Sequence, residues 1–211
     1  MPITFPKAPR AAAAKLVSHL TEVARERKLP HRMPEMRLES LSHSEAHPVY
    51  FVPLDALAQG KLLQAAKQTS WRYLLVQDNE PIAEAELAAH SHSAKGAKSR
   101  ALDFVSLTHG PFAGATVDAL GAAERLPQVE REDYELRLLK IPAVYFVALW
   151  LHGAKRDILM PMGNPPGGLK ANEPYTEAQV IDALRGSAEQ ARRFDDVHRE
   201  DKPKRRVRKK R

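Results

Sequence analysis

Glu84, Glu86, His90 and His92 stand at alternate positions of PIAEAELAAHSH, so an extended backbone places all four side chains on one face. Two imidazoles beside a carboxylate suit zinc, which accepts neutral histidine nitrogen and carboxylate oxygen. The same alternation describes the wet side of a half-buried strand that runs into a histidine-bearing loop. That plainer reading is the expectation here. His43 and His47 flank Glu45, and a helix would bring two residues four apart onto one face. Yet the stretch runs into Pro48 without apolar periodicity and reads as a polar linker. It also lacks the order of the H-E-x-x-H metalloprotease helix.

Asp103, Ser106 and His109 are the residue types of a hydrolytic triad, but they crowd into one short segment and no G-x-S-x-G elbow accompanies them. His109-Gly110-Pro111 reads as the turn that admits a helix. His152 precedes Gly153 at the end of the most apolar run, and strand ends border clefts, which makes it the histidine to inspect for altered acidity. Gly163, Gly167 and Gly168 do not have the spacing of a phosphate-cradling loop, and Pro165 and Pro166 remove two backbone donors. Trp71, Tyr73 and Leu75 alternate onto one strand face, which fits a core better than a base-stacking platform. No catalytic residue, metal site or cofactor is assigned from these patterns.

The chain's most specific physical feature is the run KPKRRVRKKR at residues 202–211. Lys202, Lys204, Arg205, Arg206, Arg208, Lys209, Lys210 and Arg211 are basic and none of the ten is acidic. Without them the body carries 25 basic and 26 acidic residues, so the formal charge of +7 belongs to the tail. Such a run displaces counterions from a polyanion, giving steep salt dependence and little sequence preference. With Val207 as its one apolar residue, it is not built to insert into a membrane.

The body must position whatever chemistry exists. The chain has 211 residues, 43% of them hydrophobic, enough for one decorated domain, while 16 prolines imply short elements. The absence of cysteine excludes disulfides and thiolate chemistry and fits a reducing, cytoplasmic setting. The N-terminal MPITFPKAPRAAAAKLVSHL lacks the unbroken apolar stretch of a secretion signal, since Lys15 interrupts it. Residues 11–28 predict an amphipathic helix through Leu16, Val17, Leu20, Val23 and Ala24, followed by an extended connection.

From Pro48 onward the pattern predicts a strand at 49–52, a helix beginning near Leu54, and strands 71–77 and 82–88 joined by Asp78-Asn79-Glu80. The order then recurs: LDFVSL as a strand, residues 112–126 as a helix, then strands YELRLLK, AVYFVALWL and DILMPM. The 11-residue run IPAVYFVALWL is too short to span a membrane and reads as a strand buried on both faces. Thr176 and Gln179 form a capping-box pattern that opens a helix to about Phe194.

The expected fold is therefore α+β: a mostly antiparallel sheet from two strand-helix-strand-strand units, with helices on one side, flanking N- and C-terminal helices and a disordered basic tail. The expected organisation is an N-terminal helix and linker at 1–47, a single body at 48–194 and the tail at 195–211. The leading functional expectation is a non-enzymatic interaction protein whose tail binds nucleic acid or a ribonucleoprotein while the body docks a protein partner. The competing expectation is a small, histidine-metal-dependent enzyme with a cleft between the units, drawing on Glu84, Glu86, His90, His92 or His152. A third is a subunit whose N-terminal helix packs on another chain.

Overall fold

The computed structural model describes residues 3–26, 36–90 and 101–200. His92 and the basic run lie outside them, and the side chain of His90 is likewise outside the description. The elements in chain order are β1 (Ile3–Thr4), α1 (Ala12–Arg25), β2 (Leu41–His43), β3 (His47–Phe51), α2 (Leu54–Ala58), β4 (Lys67–Gln77) and β5 (Glu80–His90). They continue with β6 (Ala101–Thr108), α3 (Phe112–Glu124), β7 (Tyr134–Ile141), β8 (Phe146–Gly153), β9 (Asp157–Pro161) and α4 (Glu177–Glu200).

All nine strands of the described residues join one sheet, with the main path β6-β5-β4-β3-β7-β8-β9. The pairings are antiparallel except two, in which β7 runs parallel to β3 and to β1. The two antiparallel meanders, β4-β5-β6 and β7-β8-β9, therefore meet at the parallel β3–β7 seam, where Val49 lies opposite Leu138. Beyond the start of β3 the short strands share its slot, β2 along β4 and β1 along β7.

Local sequence accounts for the turns. Asp78 and Asn79 both take positive φ, 53° and 67°, as the two-residue hairpin between β4 and β5 requires. Asp and Asn tolerate that region better than most residues. Gly60, with φ of 71°, follows α2 and ends it far earlier than the apolar spacing of residues 54–67 suggests. At α4 the capping box forms as expected: the Thr176 N–H donates to Gln179 Oε1 at 2.8 Å and the Gln179 N–H to Thr176 Oγ1 at 3.4 Å.

The helices cover both faces of the sheet, not one. The reason is legible in β7, where Leu136 and Leu138 alternate with Leu139 and Ile141, so both faces are apolar and each needs a cover. Leu136 and Leu138 pack with Ala119 and Ala123 of α3. Leu139 and Ile141 pack with Leu57 of α2 and with Val180, Leu184 and Ala188 of α4. Leu16 and Leu20 of α1 bury Tyr73, Leu75, Ala85 and Leu87. Pro48 stands opposite Trp71 and Tyr50 opposite Leu139, which puts α1 on the same face as α2 and α4.

Two further differences matter for the site. The run from Ile141 to Leu151 is not one strand: Pro142–Val144 forms a 3-10 turn, Tyr145 takes the left-handed region, and β8 begins at Phe146. β6 does not open a second unit but pairs antiparallel with β5 and extends the first meander. The glycine loop after β9 is structural, because a Cβ on Gly167 would sit 2.2 Å from the Ala183 carbonyl oxygen of α4. Among the described residues, no helix is long and apolar enough to cross a membrane.

Candidate functional site

On the α3 face of the sheet, β3, β4, β5 and β7 bring six polar side chains together: His47, Ser70, Arg72, Glu84, Glu86 and Lys140. Strand pairing sets the arrangement, with His47 and Glu86 on either side of Arg72 and Glu84 opposite Leu74. Arg72, at 1% exposure, is the largest fully buried side chain of the protein's described part. Its Nη1 donates to Glu84 Oε2 at 2.9 Å and its Nη2 to His47 Nδ1 at 3.3 Å. Its Nε is buried without a hydrogen-bond partner. Lys140 Nζ reaches across from β7 to Glu86 Oε2 at 2.6 Å, and the Ser70 hydroxyl donates to the other oxygen of the same carboxylate.

Geometry and electrostatics together fix the state of the His47 ring. Arginine can only donate, so His47 Nδ1 must accept and the ring proton sits on Nε2. Burial and then the neighbouring Arg72 charge lower the His47 pKa from 6.5 to about 3, so the imidazole is neutral. Burial also lowers the Arg72 pKa, and Glu84, then Glu86, oppose it. Two carboxylates and two cations balance, and each charge has a partner, which is what a low-dielectric setting demands. Glu84 and Glu86 thus act as hydrogen-bond acceptors in a closed network. They are not the wet side of a strand, since α3 lies over this face and both are mostly buried.

Sequence reasoning singled out the two glutamates but missed His47 as a network member, and missed Arg72 and Lys140. The signal was present: Arg72 inside the apolar strand WRYLLV and Lys140 inside LRLLKI, with two carboxylates spaced by two in AEAEL. Charges inside apolar strands call for buried partners.

A cavity of about 380 Å³ opens beside the network, with Arg72, Glu84 and Lys140 in its lining together with Phe112, Phe146 and Val147. A second, of about 370 Å³, lies between the β7–β8 turn and the C-terminal half of α4. Tyr145 borders both. Its φ of 54° and ψ of 33° are left-handed, a region that costs a non-glycine residue roughly 1–2 kcal/mol. Its ring is nonetheless 89% exposed, so no burial of the ring offsets that cost.

The other sequence-singled residues do not converge. His152 Nδ1 lies 2.7 Å from Asp157 Oδ1, the same oxygen that accepts the Trp150 indole N–H at 2.8 Å. It is a strand-end histidine held by its neighbours. His43 belongs to β2 and His47 to β3, so the polar linker read from this stretch is part of the sheet. Asp103 and Ser106 lie on β6 and the exposed His109 beyond its end. Tyr73 and Leu75 are core under α1. Among the described residues, no group of three or more His, Asp or Glu side chains is disposed to hold a metal ion.

Comparison with protein-family models, with curated proteins and with solved structures gives no match to this chain. The functional reading therefore rests on the residues themselves.

Proposed function

We propose that the chain is a non-enzymatic interaction protein that binds nucleic acid, alone or within a ribonucleoprotein, through its basic C-terminal run, while the body adds specific contacts. The observation that carries this reading is charge segregation: eight cations in the last ten residues beside a body of formal charge −1. The body supports it by what its charges do. Arg72 is paired with Glu84 and Lys140 with Glu86, which favours stabilising pairs over free acids, bases or phosphate ligands. The placement of α4 fits as well. Val180, Leu184 and Ala188 are its buried anchors, and the helix continues to Glu200, about 18 Å past the last anchor at 1.5 Å per residue. The basic run follows that helix in sequence.

The test compares full-length protein with a 1–201 truncation for binding mixed RNA and DNA fragments over a salt series. With eight cations engaged, log affinity is expected to fall against log salt with a slope of about −6 to −7, and binding near physiological salt to vanish on truncation. Equal binding by both forms, or binding by neither, contradicts the reading.

A further inference from the structure

We propose that the cleft between the β7–β8 turn and α4 is a seat for an unpaired base of single-stranded nucleic acid, with Tyr145 and Phe194 as the stacking surfaces. This inference rests on the nucleic-acid reading above and names the substrate class within it. Tyr145 and Phe194 line the same cleft, one from the turn and one from the helix. They are 89% and 62% exposed, and two large rings so bared beside one cavity are an interaction surface more than a leftover of folding. The left-handed backbone at Tyr145 strengthens the point, because glycine would hold that turn without strain, and strained non-glycine residues concentrate where a side chain has a task.

The rest of the lining matches a base more closely than a phosphate or a charged metabolite. None of the lining residues carries a charge, and Asn164, Ser187 and Gln190 supply side-chain donors and acceptors of the kind that read base edges. The neighbouring cavity over Arg72, Glu84 and Lys140 has the opposite character. Reach is satisfied too: α4 runs six residues beyond Phe194, about 9 Å, before the basic run begins. A single strand bound through those lysines and arginines would then have a base within reach of the rings. Duplex nucleic acid keeps its bases stacked inside and cannot use such a seat.

The experiment measures anisotropy of a labelled 12-nucleotide oligodeoxythymidine and of a labelled 12-base-pair duplex, with full-length protein. Tyr145→Gly removes the ring while relaxing the backbone, so its melting temperature should hold or rise and a binding defect cannot be laid to unfolding. Phe194→Ala removes the second ring, and Tyr145→Phe keeps a ring as the conservative control. Expected is a loss of single-strand affinity of about tenfold to a hundredfold for each ring removed, with duplex affinity and the salt slope unchanged. Tyr145→Phe should bind as the parent does. If the parent binds single strand and duplex alike and the variants change neither, the base seat is wrong while the tail reading stands. If the parent binds neither probe, both readings fall.

Discussion

Replacing Arg72 with methionine is expected to lower the unfolding free energy by about 3–5 kcal/mol, the range found when one partner of a buried charge network is removed. Methionine fills much of the same volume, so the loss is chiefly electrostatic. Glu84 then keeps its carboxylate in a mostly buried place without the guanidinium 2.9 Å away, and His47 Nδ1 loses its donor. Glu86 retains Lys140 and Ser70, so the damage falls on one side of the network. For a chain of this size the melting temperature should drop by about 6–20 °C. The double variant Arg72→Met with Glu84→Gln should recover part of the loss, because it removes the stranded charge as well. A single-variant effect below about 1 kcal/mol would place the network among weakly contributing surface pairs and refute the account given above.

The second large effect is acid destabilisation through His47. Its folded-state pKa is depressed to about 3 against an ordinary 6.5, so below pH 6.5 the unfolded chain takes up a proton that the folded chain refuses. The stability contributed by the neutral ring is complete above pH 6.5 and is lost as pH falls toward 3, with a slope approaching about 1.4 kcal/mol per pH unit. The window from pH 6.5 to 5 is the diagnostic one, since carboxylates titrate below it. Urea unfolding at a series of pH values should show this slope, and His47→Gln should flatten it while lowering the plateau. An unchanged slope in that variant would assign the acid sensitivity elsewhere.

Much of the fold could be read from short-range chemistry. Asp78-Asn79 specified its hairpin and Thr176 with Gln179 specified the start of α4, because both devices are decided by neighbours in the chain. The pairing of β6 with β5, in contrast, is set across residues 91–100, and β6 read alone looks equally ready to open a new unit. The two-sided cover followed from β7, but only when both parities of YELRLLKI were counted. The stop at Gly60 and the left-handed Tyr145 depend on backbone angles that apolar spacing does not report. The site was half legible: Glu84 and Glu86 were marked by alternation, but whether that face meets water or α3 is decided by the position of a helix far along the chain.

The seam between β3 and β7 bears on how this chain assembles. Each meander is made of near neighbours and can form early, whereas Val49 and Leu138 lie about 90 residues apart in sequence and must close a long loop before they touch. Joining the halves is therefore expected to be a late event, after the folding barrier. Stopped-flow kinetics should show it: Leu138→Ala, at a fully buried position, would hasten unfolding and leave the folding rate nearly unchanged. A slowed folding rate would put the seam in the nucleus instead. On that order of events, two half-sheets would face each other with the edges of β3 and β7 still to be paired. The final docking step has to outpace the pairing of those edges with another chain.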